Sequence, residues 1–176
     1  MLLVISGTPG TGKTIIGKKV AKLLGAKLIT TGLLVKKYKI SATLDKKRKT
    51  KIIDTRKLAI AAKSEAKKYE NSVFEGHLAH FTPADFTIIL RTSPSELERR
   101  LKKKGWSESK IRENVEAEAM DIISNEVKNA IEIDTTRKSP KKAALLILKL
   151  LNNYSLQRKY LRKIDWSEKY ASFLKG

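Results

Sequence analysis

The chain has 176 residues, 41% of them hydrophobic, which is enough to form one domain around a substantial apolar core. It contains no cysteine and two histidines, a composition that excludes disulfides and thiolate metal sites and disfavours structural zinc, and it has no run near the roughly 20 apolar residues that span a membrane. Its net charge of +20 predicts attraction to polyanions such as RNA, ribosomes or nucleotides, and the alternative is a lysine-rich composition that serves solubility.

The N-terminal part of the chain has the pattern of a strand, a turn and a helix. The apolar run Leu2–Ser6 predicts a strand buried on both faces. Because glycine follows at once and no basic region precedes, this run indicates a first strand rather than a signal peptide, and a cytoplasmic protein is expected. Lys13–Leu24 has apolar residues at helical spacing before Gly25, so a helix is predicted there, followed by a short strand at Lys27–Thr30.

The next segment, residues 31–51, has no regular pattern and is predicted to be irregular and mobile. It is strongly basic, since residues 36–51 contain eight lysines and arginines and one aspartate. Asp54 is predicted to cap a helix that ends near residue 69. Two further strands are predicted at Ser72–Glu75 and Phe86–Arg91.

The second half of the chain continues the alternation of helices and strands. The predicted elements are a helix from Pro94 to about residue 104 with Ser93 as its cap, a break at Gly105, a long helix at residues 108–129, a strand at residues 130–134 and a helix at Pro140–Leu151. Residues 152–176 form a tail that either packs on the domain or extends as an arm, and residues 137–176 contain eleven basic and two acidic residues. Strands that alternate with helices predict an α/β domain with a parallel sheet.

The motif Gly7-Thr8-Pro9-Gly10-Thr11-Gly12-Lys13-Thr14 matches the phosphate-binding loop pattern, with the strand before it and the helix after it that the motif requires. Glycines at Gly7, Gly10 and Gly12 allow backbone N–H groups to surround a phosphate, and the start of the helix adds a partial positive charge. Lys13 is predicted to reach the β- and γ-phosphates of a nucleotide, and the Thr14 hydroxyl to bind Mg²⁺. No guanine-reading motif accompanies the loop, so ATP is favoured over GTP.

Other candidate catalytic residues follow predicted strands or end predicted helices. Glu75 ends an apolar strand, where a carboxylate can hold Mg²⁺-bound water, and His77 follows it as a residue that can orient water or phosphate. Either residue can also serve only in packing, and His80 is the weaker histidine candidate. The basic run at residues 99–104 ends a helix before Gly105 and predicts a short lid, with a solvated helix end as the alternative.

Three segments together resemble the adenylate kinase isoenzyme 6 family: GTPGTGKT, FEGHLAHF and LRTSPSELERRLKKKGWSESKIRENVEAE. This family comprises small archaeal and nuclear adenylate kinases that also act as ATPases in assembly of the small ribosomal subunit. The resemblance covers residues 1–151 and is most specific at residues 90–118. It implies a P-loop NTPase fold with three α/β/α layers, a five-stranded parallel sheet, a monophosphate arm at about residues 30–53 and a lid at about residues 103–113, with residues 152–176 as a basic extension.

The resemblance also implies ligands and site residues. Family members bind ATP with Mg²⁺, use AMP as the acceptor, and have a small-subunit ribosomal protein or ribosomal RNA as a partner. The positions that match the family's ATP-phosphate ligands are Gly10, Gly12, Lys13, Thr14 and Ile15. Glu75 and His77 match the family's acid-x-His pair. Arg100 and Lys104 match its two basic lid residues.

This sequence departs from the family pattern at several positions. Glu75 stands where the family often has aspartate, and Lys104 stands where arginine is usual, so the planar two-pronged guanidinium is missing there. Gly32-Leu33-Leu34 lacks the acidic residue of many members, and the arm is rich in lysine. These departures bear on AMP affinity and transfer rate, so three functions stay open: an adenylate kinase that is also an ATPase, an ATP-driven ribosome or RNA assembly factor only, and a small kinase for another acceptor such as CMP.

Overall fold

A computed structural model describes residues 1–40, 42–45, 50–161 and 164–175 of the chain. Its main sheet has five parallel strands in the order β2-β5-β1-β6-β7, and a separate antiparallel hairpin pairs β3 with β4. The strands are β1 (Leu2–Ser6), β2 (Lys27–Thr30), β3 (Ala42–Asp45), β4 (Thr50–Ile53), β5 (Ser72–Glu75), β6 (Phe86–Arg91) and β7 (Ile131–Asp134). The five-stranded parallel sheet confirms the predicted fold class.

Nine helices are found in the described part of the chain, together with a short 3-10 helix at Ala79–Phe81. The helices are α1 (Lys13–Leu24), α2 (Thr31–Lys37), α3 (Thr55–Ala66), α4 (Pro94–Lys103), α5 (Glu108–Ala119), α6 (Ile122–Asn125), α7 (Pro140–Leu151), α8 (Tyr154–Arg158) and α9 (Ser167–Lys175). None of the helices in the described ranges is both long enough and apolar enough to cross a membrane.

Both faces of the sheet are covered by helices, which explains why β1 is apolar at every position. Leu3 and Ile5 point to one face, where they pack in a cluster with α1 and α7. Leu2 and Val4 alternate to the other face, where they pack with α2 and α3. The result is a three-layer α/β/α architecture with β1 at its centre.

The position of β1 also determines where a ligand can bind. β5 and β2 lie on one side of β1, and β6 and β7 lie on the other, so the chain leaves the centre of the sheet in both directions. In open parallel sheets the crevice for ligands forms at such a switch point, beyond the carboxyl ends of the strands. Gly7–Thr14 and Glu75 both lie at this edge, because Ile5 pairs in register with Glu75.

Residues 31–51 were predicted to be irregular, and this prediction is wrong for the part that the structure describes. Thr30 accepts a hydrogen bond from the Leu33 N–H at 3.2 Å and so caps α2, a start signal that the basic composition obscured. The β3–β4 hairpin follows. Part of the basic run, residues 46–49, lies outside the described residues.

Three helix predictions also need correction. The single helix predicted at residues 108–129 is broken after α5, because Asp121 adopts a left-handed conformation with φ 55° and forms an ion pair with Arg91. Ser93 precedes α4 but its side chain makes no capping hydrogen bond; its N–H is instead bound by the Thr136 hydroxyl at 2.9 Å. Asp54 caps α3 as predicted, yet the helix ends at Ala66 rather than near residue 69.

The tail packs back on the domain, which decides between the two alternatives that its sequence allowed. Tyr160 accepts a hydrogen bond from the Glu132 N–H at 2.8 Å, and Leu161 forms an antiparallel bridge with Ile131 at the free edge of β7. The chain then reaches α4, where Tyr170 of α9 packs against the cluster of Leu97, Leu101, Ile111 and Val115. This small cluster lies apart from the two main cores.

Candidate active site

The loop between β1 and α1 has a shape that only glycine permits at its turning points. Gly7, Gly10 and Gly12 all have positive φ, of 140°, 100° and 98°. A Cβ on Gly7 would collide with the Leu90 carbonyl oxygen, and one on Gly10 would lie 2.6 Å from Leu97 Cδ1. The backbone can therefore curl tightly between β6 and α4, in the kind of glycine-rich turn whose N–H groups can surround an anion.

Lys13, the first residue of α1, is directed back over this loop. Its Nζ donates a hydrogen bond of 3.0 Å to the Thr8 carbonyl oxygen. Burial lowers the pKa of Lys13 to about 8, against the opposing effect of the nearby carboxylates Glu75 and Glu118. The group is still mainly an ammonium at neutral pH, and a bound polyphosphate would favour the charged form. Such a cation, held at the edge of a phosphate-sized loop, is suited to neutralise phosphate oxygens.

Thr14 and Glu75 form the second polar pair of the site. The Thr14 hydroxyl donates a 3.2 Å hydrogen bond to Glu75 Oε2, although the two residues belong to α1 and β5. Gly17 leaves room for this approach, because a Cβ at that position would lie 3.3 Å from Glu75 Cβ, a tight contact. A hydroxyl beside a carboxylate is a donor set of hard oxygens, which fits Mg²⁺ with its preference for oxygen ligands.

The two histidines, of which His77 was the stronger candidate from the sequence, occupy different environments. His77 is exposed at its surface, and partial removal of its ring from water together with the charge of Lys13 lowers its pKa. His80 is buried: its Nδ1 lies 2.9 Å from Ser6 Oγ and its Nε2 lies 2.8 Å from Glu126 Oε2. His80 thus joins the end of β1 to the segment after α6, whereas His77 faces the site.

The predicted lid residues Arg100, in the last turn of α4, and Lys104, just after that helix, differ in their surroundings. Arg100 donates to Glu96 Oε1 at 2.7 Å and to the Thr135 carbonyl oxygen at 2.8 Å, with a longer bond of 3.4 Å to the Gly10 carbonyl oxygen. It therefore joins the phosphate loop to the junction after β7, which consists of Thr135 and Thr136. Lys104 is exposed, and its charge is close enough to oppose that of Lys13. Ile15 is 56% exposed on the first turn of α1.

A buried group of polar side chains beside the loop was not identified from the sequence. Arg91, at the end of β6, is 1% exposed and forms ion pairs with Glu118, Asp121 and Glu132. Glu118 also accepts a hydrogen bond from the Thr8 hydroxyl at 2.5 Å. A signal existed, because Glu118 lies seven residues after Ile111 on the apolar stripe of α5, where a carboxylate requires a buried partner.

Comparison with known sequences gives consistent matches over most of the chain. The family model described as AAA domain matches residues 3–121. A protein of Thermococcus onnurineus (strain NA1) named "Putative adenylate kinase" is 39% identical over 175 residues, which cover 97% of this chain and 93% of that protein. A protein of the same name in Methanocaldococcus jannaschii is 34% identical over 175 residues, which cover 99% and 97% of the two chains.

Solved structures with a similar fold are more distant in sequence. Shikimate kinase from Acinetobacter baumannii superimposes with a TM-score of 0.61 at 17% identity and covers 88% of this chain and 94% of its own. Deoxyadenosine kinase from M. mycoides gives 0.57 at 20% identity, over 86% and 99%. These two structures establish the fold alone. Fold, phosphate loop and archaeal relatives agree, and the chain therefore belongs to the adenylate kinase-like family of P-loop nucleotide kinases.

Proposed function

We propose that this protein is an adenylate kinase that converts Mg·ATP and AMP into two molecules of ADP, and that it belongs to the isoenzyme 6 branch. The observation that carries the proposal is the phosphate loop with Lys13 directed over it and the Thr14–Glu75 pair beside it, 3.2 Å apart. The archaeal proteins named "Putative adenylate kinase" support the choice of AMP as acceptor, since they match this chain over nearly its full length.

The second substrate has a candidate anchor at the carboxyl edge of the sheet, beside the end of β5. Among the described residues, two buried side-chain oxygens lack a hydrogen-bond partner, and one is Thr31 Oγ1. Thr31 follows β2 at the same sheet edge where Glu75 ends β5, and its hydroxyl touches the space that a Cβ on Gly76 would fill. An unsatisfied buried hydroxyl is costly unless a ligand completes it. We assign it to the acceptor nucleotide.

The chemistry needs positioning and charge more than covalent participation. The bond from the γ-phosphorus of ATP to its bridging oxygen breaks as a bond to an AMP phosphate oxygen forms, so both products are ADP. Lys13 would bind the β- and γ-phosphate oxygens and stabilise the charge that shifts to the leaving ADP. Thr14 and Glu75 would hold Mg²⁺, which supplies further positive charge. Arg100 would fix the loop against the junction after β7, and Lys104 would approach from the lid.

Replacement of Thr31 by valine is expected to raise the KM for AMP about tenfold, because a hydrogen bond to the acceptor is lost, and to leave ATP affinity unchanged. The measurement is a coupled ADP assay with AMP, CMP, UMP, GMP and dephospho-coenzyme A as acceptors. AMP is expected to be the preferred acceptor. If another acceptor is preferred, the protein is a kinase for that acceptor rather than an adenylate kinase. If ATP is hydrolysed without any phosphate transfer, the protein is an ATPase.

The matched control for this assay is Thr82→Val. Thr82 carries the other buried hydroxyl without a partner in the described residues, and it lies on the connection between the 3-10 helix and β6 rather than at the end of β2. Its replacement is expected to leave the KM for AMP as it was. An equal rise in both variants would indicate a general loosening of the fold and would refute the role of Thr31.

A second candidate function is supported by charge. The net charge of +20 and the basic segments around the arm and the tail favour contact with an RNA, in the setting of small-subunit ribosome assembly in the cytoplasm. In this role His77 and Glu75 would orient water for hydrolysis of ATP. A steep decline of affinity for small-subunit ribosomal RNA with salt, together with RNA-dependent ATPase activity, is expected. If neither the salt dependence nor the RNA-dependent ATPase activity is found, this second function is refuted.

A further inference from the structure

The C-terminal segment, residues 164–175, is connected to the phosphate loop by a chain of buried hydrogen bonds. Ile164 is held by its backbone: its N–H donates to Glu132 Oε2 at 2.9 Å, and its carbonyl oxygen accepts from Arg91 at 3.3 Å. Two residues later, Trp166 is 4% exposed and its indole Nε1 donates to Glu118 Oε1 at 3.3 Å. The segment therefore reaches the same carboxylate that holds the loop.

Glu118 is fixed by donors from three separate parts of the chain. Its Oε1 accepts from Arg91 Nε at 2.8 Å and from the Thr92 N–H at 3.0 Å, besides Trp166. Its Oε2 is thereby aimed at the Thr8 hydroxyl, 2.5 Å away. Since the Glu118 side chain is 2% exposed, water cannot replace a donor that is removed.

Thr8 transmits this restraint to the catalytic lysine. Its carbonyl oxygen accepts three hydrogen bonds, from Lys13 Nζ at 3.0 Å, from the Thr11 hydroxyl at 2.9 Å and from the Thr11 N–H at 3.2 Å. Thr8 is thus bound at two points: its hydroxyl donates to Glu118, and its carbonyl oxygen accepts from Lys13. A rotation of Thr8 would displace the ammonium and the loop together.

We propose that Glu118, Thr8 and Trp166 are positioning residues for ATP, and that the C-terminal segment holds the phosphate loop in its binding shape through Trp166. The role rests on the proposed nucleotide site, but it does not depend on the acceptor. It predicts that contacts made by the tail, far from the loop in sequence, control ATP affinity.

The test measures binding of a non-hydrolysable ATP analogue with Mg²⁺ to the full chain by calorimetry. Trp166→Phe and Thr8→Val are each expected to weaken binding about three- to tenfold, since each removes one hydrogen bond of the chain. The double variant is expected to be no weaker than the weaker single variant, because both changes break the same connection. Thr8→Ser keeps the hydroxyl and should retain the affinity of the unaltered protein.

Tyr170→Phe is the matched control within the same segment. Like Trp166→Phe, it removes one polar group of the C-terminal segment, but the Tyr170 hydroxyl is hydrogen-bonded to Glu116 rather than to Glu118. We expect unchanged ATP affinity in this variant, whatever happens to its melting temperature. Equal weakening by Tyr170→Phe and Trp166→Phe, additive effects in the double variant, or unchanged affinity in Thr8→Val would each overturn the proposal.

Rescue by Thr8→Ser separates positioning from a purely structural role, because serine restores the hydroxyl that binds Glu118 and valine does not. If Thr8→Ser binds the ATP analogue as weakly as Thr8→Val, the assignment is contradicted. Loss of AMP transfer with this pattern intact would refute only the proposed acceptor.

Discussion

Replacement of Lys13 by alanine is expected to reduce kcat for ADP formation at least about 10²- to 10³-fold, comparable to the loss of one preorganised donor in other active sites. The reason is geometric, because Lys13 is held 3.0 Å from the Thr8 carbonyl oxygen and is directed over the loop that would contain the phosphates. Arg100 cannot take its place, since its guanidinium is already bound to Glu96 and Thr135. A coupled assay with saturating ATP and AMP measures the effect.

The same variant should not lower the stability of the fold. Burial lowers the pKa of Lys13 from 10.5 to about 8, so at pH 7 the folded state holds the charged form less favourably than the unfolded chain does. Removal of the ammonium relieves this cost, and the melting temperature at pH 7 is expected to stay level or rise. Lys18→Ala, on an exposed position of the same helix, is the control for activity. Full turnover by Lys13→Ala would refute the proposed site.

Much of the fold could be predicted from the sequence because its signals are local. β1 is apolar at each position since both of its faces are buried, and the glycine motif follows it directly, so strand, loop and helix could be assigned together. Asp54 likewise precedes its helix and accepts hydrogen bonds from Arg56 and Lys57. Each of these features is determined by residues within a few positions of one another.

The parts that were missed depend on partners distant in the sequence. Arg91 meets Glu132 across 41 positions, and Glu118 meets Thr8 across 110. No local pattern distinguishes Glu118 from the other glutamates of α5 except its place on the buried side of the helix. The left-handed turn at Asp121, which divides the long predicted helix, also accompanies an ion pair with Arg91. Periodicity gives helices and strands, but tertiary contacts decide which charges become buried.

The second large effect is expected at Arg91. Its replacement by methionine should lower the free energy of unfolding by about 3–5 kcal/mol, the usual cost of removing one partner from a buried ion pair. The guanidinium side chain is 2% exposed, as are the Glu118 and Glu132 carboxylates that it holds. Methionine fills a similar volume, so packing is largely kept, and the loss comes from carboxylates that stay buried without their cation.

Urea denaturation at pH 7 measures this loss, and Arg99→Met is the matched control. Arg99 also forms a close ion pair, 2.7 Å from Glu96, but its side chain is 66% exposed, so water replaces the lost contact and a much smaller change in the free energy of unfolding is expected. Arg91→Met should in addition weaken ATP binding, because Glu118 loses its main restraint while it still faces Thr8. Equal destabilisation in the two variants would mean that burial does not determine how much the ion pairs of Arg91 contribute to the free energy of unfolding. In that case Arg91 would not be the buried cation that fixes Glu118 between the tail and the phosphate loop.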